Sequence, residues 1–225
     1  MLLLSATPFE IAPTVAWLRD RAIREEGNVL VFARTSVEVC FTGVGLPATA
    51  FALGRRLGSG PVVGPMVQAG VGGALDPTLA LGEVVRITSE RFADLGAEDP
   101  AGHHLRLSDI GLPPGPPFDG EEVLRLPPGY ARLPFRECAG YSVNRVSGND
   151  QSISVLRRRL PEAQVESMEG AAFFYACLSA GLEPVQLRAI SNYVEARNRA
   201  NWRMGEAIGA LNAALQQMLL PFTQA

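Results

Sequence analysis

Short apolar runs separated by amphipathic stretches are typical of strands that alternate with helices. The pattern predicts strands at residues 2–6, 28–33, 37–41, 62–69, 83–87, 141–146, 165–168 and 185–190. It predicts helices from Pro8 to about Glu25 and at residues 48–57, 153–160, 169–180 and 201–220. This alternation favours an α/β fold with a mixed, largely parallel central sheet and helices on both of its faces.

The pattern shows no internal repeat and no clean boundary, so residues 1–225 are expected to form a single domain. Residues 108–134 are rich in Pro and Gly and predict a long surface excursion with rigid turns.

Composition removes several classes of function. The formal net charge is −3, so no nucleic acid or anionic membrane is expected as a partner. No apolar run is long enough to span a bilayer, and the first residues lack the features of a signal peptide. The sequence contains no Lys, which excludes a Schiff-base or P-loop lysine.

The cysteines and histidines do not predict a metal site. Cys40, Cys138 and Cys177 are widely spaced and form no C-x-x-C pair, so we expect free thiols in a reducing cytoplasm. His103 and His104 stand beside a glycine with no third ligand in view and predict a solvated loop. No metal and no cofactor are expected.

Polar residues and glycines follow several of the predicted strands. Glu10, Glu169 and Asn192 each come soon after a strand, as do the glycine segments 43–45 and 70–73. Ligands collect at the carboxyl ends of strands in such sheets, and glycine lets backbone N–H groups approach a ligand closely. A helix-start Glu is often a cap and an Asn after a strand is often part of a turn, so only their joint placement indicates a site.

Two other enzyme classes fit poorly. Residues 43–48 match the dinucleotide fingerprint G-x-G-x-x-A, but residues 62–64 lack the acidic side chain that would hold a ribose. A serine hydrolase would need a G-x-S-x-G elbow, and the sequence has none.

Residues 165–172, Val-Glu-Ser-Met-Glu-Gly-Ala-Ala, resemble the Met-Glu signature of the nucleoside phosphorylase superfamily, in the branch of the methylthioadenosine/adenosylhomocysteine nucleosidases. Four further segments resemble that family in the expected order, namely residues 42–45, 70–77, 81–85 and 188–192. Within the superfamily, residues 92–98, 166–173 and 191–202 are similar to the futalosine hydrolases, which act in an alternative menaquinone pathway.

The resemblance implies a cleavage of the N-glycosidic bond and a role for each matching residue. Glu10 would activate the attacking water, and Glu169 would accept hydrogen bonds from the ribose hydroxyls, with Met168 packed against the sugar. The resemblance further implies substrate contacts from Gly43, Gly45, Gly70, Val71, Gly72, Phe173 and Ser191. Relatives are commonly dimers or larger, so a homodimer or higher homo-oligomer is expected.

Asn192 departs from the adenine-specific nucleosidases, which have Asp at this position. Hypoxanthine presents two acceptors, N7 and O6, and the Asn amide supplies N–H donors without ionising. Asn192 therefore indicates a 6-oxopurine, and it leaves the source of the leaving-group proton open, because an amide has no acidic proton of suitable pKa.

Four functions remain in play. A futalosine hydrolase is favoured over a purine nucleoside phosphorylase, because no basic residue lies near either glycine segment to hold phosphate. A methylthioadenosine/adenosylhomocysteine nucleosidase conflicts with Asn192, and a non-catalytic nucleoside-binding module would not need Glu10. Futalosine carries a carboxylated aromatic group on its 5′ side. Arg145, Arg197 and Arg199 are candidates for its carboxylate, and Phe135, Phe173 and Tyr193 for its ring.

Overall fold

The computed structural model describes residues 1–223 and has the predicted α/β architecture. The helices of this part are α1 (Pro8–Arg19), α2 (Leu46–Gly58), α3 (Asp150–Arg159), α4 (Gly170–Ser179) and α5 (Met204–Thr223). Its first strands are β1 (Leu2–Ser5), β2 (Arg24–Glu26), β3 (Val29–Val31), β4 (Ser36–Phe41), β5 (Met66–Ala74) and β6 (Val84–Glu90). The later strands are β7 (Ala97–Glu98), β8 (His104–Leu105), β9 (Leu124–Arg125), β10 (Arg136–Ser142), β11 (Val165–Ser167) and β12 (Pro184–Tyr193).

The main sheet is mixed, with the order β11-β10-β6-β12-β5-β1-β4-β3-β2, and β9 pairs with β6. One edge of β5 serves two partners, because Met66–Gln68 pair with β1 whereas Gly73 and Ala74 pair with β11. The strands β5, β12, β6, β10 and β11 thereby close into a ring. The second half of β5 lies between β11 and β12, the two strands that carry the candidate site residues.

Side-chain alternation along β1 divides the core into two layers. Leu2 and Leu4 pack in a cluster with Phe173 and Phe174 of α4, and α2 packs against α4 on the same side. Leu3 packs in a second cluster with residues of α1 and α5. Because successive side chains of a strand point to opposite faces, helices cover both faces of the sheet, as the sequence pattern predicts.

The helix predicted to run to about Glu25 ends at Arg19. Residues 24–26 instead form β2, which pairs with β3 through a turn at Gly27, where φ is +63°. All three residues of β2 are exposed, so their polar sequence carries no alternating pattern that would reveal a strand.

Two strands extend beyond their predicted ends, and both extensions bear on the site. Strand β5 begins at Met66 and runs through the glycine segment 70–73, which was expected to be a turn. Strand β12 continues through Ser191 and Asn192 to Tyr193. Its register against β5 shifts between Ile190 and Asn192, so Ser191 is the extra residue of a β-bulge.

The remaining expectations concern the excursion, the cysteines and the histidines. Residues 108–134 contain β9 and place Phe118 against Phe92 and Tyr175 of α4. The three cysteines are free thiols, with Cys138 and Cys177 buried and Cys40 half-buried. His103 is exposed and pairs with Asp99, whereas His104 lies half-buried in β8. Among residues 1–223, no helix is both long and apolar enough to cross a membrane.

Candidate active site

A cavity of about 400 Å³ opens where the ends of several strands meet. Its walls come from the β1–α1 junction, β5, residues 146–147, the β11–α4 junction, and the end of β12 with the loop that follows it. The cavity is lined by Glu10, Val71, Gly72, Met168, Glu169, Ser191 and Asn192, all of which the sequence singles out. The fold therefore brings together side chains that lie up to 182 positions apart in the chain (from Glu10 to Asn192).

Glu10 is both a helix cap and a wall of the cavity. It stands in the first turn of α1, after the N-cap Thr7, and its Oε2 accepts hydrogen bonds from Ser5 Oγ (2.9 Å), Thr7 N (3.1 Å) and Thr7 Oγ1 (3.2 Å). Its Oε1 accepts one hydrogen bond, from Val71 N at 3.1 Å. Four donors thus fix the carboxylate, and Oε1 keeps a lone pair free to accept a further donor.

Glu169 is the N-cap residue of α4, at the end of the Met-Glu signature, and only 5% of it is exposed. Its Oε1 accepts a hydrogen bond from Gly45 N at 3.2 Å, and its Oε2 is paired with Arg188 NH1 at 3.2 Å. Met168 lies half-buried beside it in the cavity wall.

Arg188 is the main residue whose role the sequence analysis missed. Its side chain is 2% exposed, and its guanidinium donates to Glu169 Oε2, Val71 O, Gln186 Oε1 and Gln68 Oε1. It reaches the Gly70 segment from the neighbouring strand β12. The sequence has no basic residue near this segment, but the fold brings one beside it. Four acceptors, one of them a carboxylate, already satisfy most of its five N–H groups.

A buried chain of hydrogen bonds continues from Arg188 into the core. Gln186 joins Arg188 to Glu90, because its Oε1 accepts from Arg188 Nε and its Nε2 donates to Glu90 Oε1, each at 2.9 Å. Ser142 Oγ donates to Glu90 Oε2 at 3.1 Å and accepts from Ala171 N at 2.8 Å. The first turn of α4, and with it Glu169, is therefore held from both sides by one polar network.

Burial is the main cause of a raised pKa at Glu90, which lies at about 7 instead of the ordinary 4.5. The hydrogen bonds from Gln186 and Ser142 and the charge of Arg188 lower the pKa, but by less than burial raises it. Below about pH 4.5 the carboxyl is protonated in both the folded and the unfolded chain. Between pH 4.5 and 7 only the unfolded chain loses the proton, so Glu90 lowers the free energy of unfolding by up to about 3 kcal/mol as the pH rises.

Glutamine does not titrate, so the Glu90→Gln variant should lack this pH dependence. Between pH 4.5 and 7, we expect the wild type to lose up to about 3 kcal/mol of unfolding free energy relative to the variant. Urea denaturation of both proteins at several pH values measures it. Parallel stability curves would show that Glu90 does not titrate in this range.

Gly70 is required where Glu10 and Arg188 approach β5. A Cβ atom at this position would lie 2.8 Å from Glu10 Oε1 and 2.7 Å from Arg188 NH1, so an alanine would displace both functional groups. We expect Gly70→Ala to lower kcat/KM on the order of a hundredfold, since small misplacements of reacting groups have effects of that size. Gly54→Ala in α2, where a Cβ would meet nothing within 4 Å, is the matched control and should keep full activity. Equal activities of the two variants would contradict this account of Gly70.

The bulge at Ser191 explains how two consecutive residues of β12 both line the cavity. In a regular strand they would point to opposite faces. Ser191 Oγ donates to Asn192 Oδ1 at 2.8 Å, and Asn192 Nδ2 donates to Tyr193 O at 2.9 Å. The amide is thereby oriented, and Nδ2 retains a second N–H for a ligand.

Several residues that were expected to contact the substrate do not line the cavity. Phe173 is fully buried against Phe174 in the core and does not line the cavity, because every residue at the start of α4, from Gly170 to Phe174, is buried. Gly43 and Gly45 are not part of the lining either. Gly43 N donates to Ala6 O and Gly45 N donates to Glu169, so this segment supports the site from behind, and Val44 between them faces the cavity. Gly70 likewise lies behind Glu10 rather than in the lining.

The arginine and aromatic candidates are also separated by the fold. Arg197 and Tyr193 line the cavity, together with Trp202, which the guanidinium of Arg197 approaches to 5.5 Å. Arg145 lines a different depression, and Phe135 packs against the core cluster under α1 and α5. Arg199 stacks on Trp202 at 5.8 Å and is not part of the cavity wall.

Comparisons with known proteins agree with this architecture. The family model of the phosphorylase superfamily matches residues 1–221. Futalosine hydrolase of Thermus thermophilus is 33% identical, and the alignment covers 97% of this chain and 94% of that protein. Futalosine hydrolase of Streptomyces coelicolor is 34% identical over 68% of this chain, and the match spans 64% of the relative, slightly less than two thirds of its length.

Solved structures show the same fold at low sequence identity. The native structure of futalosine hydrolase of Helicobacter pylori superposes with a TM-score of 0.72 at 18% identity, over 98% of this chain and 97% of that one. The 5′-methylthioadenosine/S-adenosylhomocysteine nucleosidase of Helicobacter pylori with butyl-thio-DADMe-Immucillin-A gives a TM-score of 0.74 at 17% identity, over 98% and 97%. The chain therefore belongs to the phosphorylase superfamily and, within it, to the futalosine hydrolase family.

Proposed function

We propose that this protein hydrolyses the N-glycosidic bond of futalosine and releases hypoxanthine and dehypoxanthine futalosine, a step of menaquinone biosynthesis. The observation that carries the proposal is the pair of fixed carboxylates, Glu10 and Glu169, facing one cavity in a chain whose Thermus relative is 33% identical along nearly its full length. A non-catalytic binding module would not need a carboxylate with a free acceptor site beside the sugar.

Glu10 is proposed as the general base. Cleavage at C1′ builds an oxocarbenium-like ribose, and a water aligned on C1′ must lose a proton as it adds. Glu10 Oε2 is occupied by three donors, so Oε1, with Val71 N as its one partner, is the oxygen that orients the water and takes its proton.

Glu169 is proposed to hold the ribose through its 2′ and 3′ hydroxyls. Anionic acceptors on these hydroxyls stabilise a sugar that becomes cationic in the transition state. Arg188 and Gly45 N each occupy one Glu169 oxygen, which fixes the carboxylate and leaves acceptor capacity for the sugar. Met168 lies in the cavity wall next to Glu169 and is proposed to pack against the ribose ring.

Water is favoured over phosphate as the nucleophile. Glu10, Glu166 and Glu169 all line the cavity, and the charge of Arg188 is committed to Glu169. A phosphate beside Glu10 and Glu169 would therefore meet several carboxylates and a guanidinium already committed to one of them, which disfavours a purine nucleoside phosphorylase. Arg197, which also lines the cavity, lies against Trp202. The test measures the free base that is released, which is hypoxanthine from futalosine and inosine and adenine from methylthioadenosine, each with and without phosphate. Release from futalosine without phosphate is expected, and strictly phosphate-dependent release would overturn the proposal.

Asn192 is proposed to select the 6-oxopurine, since its free N–H can donate to N7 or O6 of hypoxanthine. We expect Asn192→Asp to move the preference toward the 6-amino base by about tenfold or more, because an unpaired buried polar group costs about 1–3 kcal/mol. The measurement is the ratio of kcat/KM for futalosine and its 6-amino analogue. An unchanged ratio in the variant would remove Asn192 from base selection, and methylthioadenosine would then return as a candidate substrate.

The cellular location and the oligomeric state are also proposals. The free thiols of the chain support a reducing cytoplasmic location. The cavity rim carries exposed apolar side chains, Phe9 (68% exposed) and Val44 (55%), which support burial of this rim in a homodimer. Light scattering on the purified protein tests the second, and a monomer at micromolar concentration would contradict it.

A further inference from the structure

Glu166 is a buried carboxylate in the cavity wall for which the reaction described above has no use. It is 6% exposed and lies in β11, three residues before Glu169. Its Oε1 and Oε2 both accept from Ser147 N, at 3.2 and 3.1 Å, and Oε2 also accepts from Tyr141 OH at 3.1 Å. Burial raises the pKa of this carboxyl, and these donors lower it.

The sheet register places Glu166 next to the proposed base-binding residue. Gly73 of β5 pairs with Glu166 on one side and with Asn192 on the other. Paired residues of neighbouring strands are directed to the same face, and both side chains line the cavity. The strand between them presents only glycine at this position, so no side chain of β5 stands between Glu166 and Asn192.

The chemistry of the base calls for a second contact of the opposite kind. A 6-oxopurine has acceptors at N7 and O6 but carries a donor, the N1–H group, further along the same edge. Asn192 can donate to N7 or O6, but it leaves N1–H without a partner. A buried acceptor on the far side of Gly73 satisfies that donor. The Glu166 carboxylate receives three hydrogen bonds from two donors, Ser147 N and Tyr141 OH, and keeps one of its roughly four lone-pair sites for the base.

We propose that Glu166 is a specificity-determining residue whose carboxylate accepts the N1–H group of a 6-oxopurine, so that Glu166 and Asn192 read the base together. The inference rests on the proposed function for the identity of the base. Adenine has an unprotonated N1, which would face the carboxylate as a second acceptor, so the same residue disfavours a 6-amino base.

Two variants separate this role from a structural one. Glu166→Gln preserves size and an oxygen for Ser147 N, but it presents amide N–H groups. Tyr141→Phe removes a hydrogen bond to Glu166 from a side chain that is fully buried outside the cavity lining. If Glu166 merely ties residue 147 to the sheet, both variants should act alike on stability and neither should alter base preference.

The experiment is calorimetric titration of the wild type and both variants with hypoxanthine, adenine and 1-methylhypoxanthine as free bases. We expect the ratio of the adenine to the hypoxanthine dissociation constant to fall about ten- to a hundredfold in Glu166→Gln and to stay unchanged in Tyr141→Phe. In the wild type, 1-methylhypoxanthine should bind at least tenfold more weakly than hypoxanthine.

An unchanged ratio in a folded Glu166→Gln variant would overturn the inference, as would a wild type that binds 1-methylhypoxanthine as tightly as hypoxanthine. The second comparison needs no variant and holds even if Glu166→Gln does not fold. Because the ligands are free bases, the result does not depend on turnover of futalosine. A protein that reads N1–H but leaves futalosine intact would refute the proposed function and retain the role of Glu166.

Discussion

Glu10→Gln is expected to lower kcat on futalosine by about a thousandfold, the middle of the range for loss of a positioned general base. Glutamine keeps the length of the side chain and an oxygen for the donors from Ser5 and Thr7, but its amide cannot take a proton from water. Because Glu10 acts on the water rather than on the purine or its sugar, the dissociation constant of the substrate should change little.

Steady-state turnover and calorimetric substrate binding, measured on the same preparation, separate these two effects. Glu25→Gln is the matched control, since Glu25 forms an exposed ion pair with Arg19 at the protein surface and should keep full activity. A Glu10→Gln variant that turns over at the wild-type rate would remove Glu10 from the mechanism.

Arg188→Met is expected to lower the free energy of unfolding by about 3–5 kcal/mol and to abolish most of the activity. The substitution removes the guanidinium but leaves Glu169, which is 5% exposed, as a buried carboxylate without its ion pair. Gln68 and Gln186 lose a partner at the same time, so several buried polar atoms become unsatisfied.

The double variant Arg188→Met/Glu169→Gln tests the cause. Removing the orphaned charge should recover about 2 kcal/mol of the lost stability without restoring activity, because the fixed carboxylate of the ribose site is then absent. Urea denaturation gives both values. Additive losses in the double variant would show that Arg188 stabilises the fold by packing rather than by pairing with Glu169.

The sequence alone predicts the α/β class and the order of most elements, because the strands of the core are continuous apolar runs. The N-terminus of α1 is also readable, since Pro8 and Glu10 follow a strand. The end of α1 and the polar strand β2 are not, because the pairing of Arg24–Glu26 with Val29–Val31 depends on a turn rather than on a pattern. The extent of a single domain over residues 1–225 stays a prediction.

The site residues that a motif carries, Glu10, Glu169 and Asn192, could be named in advance, whereas the residues that position them could not. Arg188 is, with Gln186, one of two polar residues in an otherwise apolar predicted strand, and only the folded chain places its guanidinium between β5 and α4. Phe173 illustrates the opposite case, a residue that the sequence singles out but the fold keeps out of the cavity wall. It lies one helical turn after Glu169, but the first five residues of α4 are all buried, so helical spacing does not distinguish the cavity from the core.

The most direct test of the central claim is to run the futalosine reaction without phosphate in water enriched in oxygen-18 and to weigh the sugar product by mass spectrometry. Hydrolysis by a water activated at Glu10 predicts one oxygen-18 atom in dehypoxanthine futalosine, above the exchange seen when unlabelled product is held in the same water. A sugar 1-phosphate that forms only when phosphate is added, or cleavage without incorporation of the label, would contradict it.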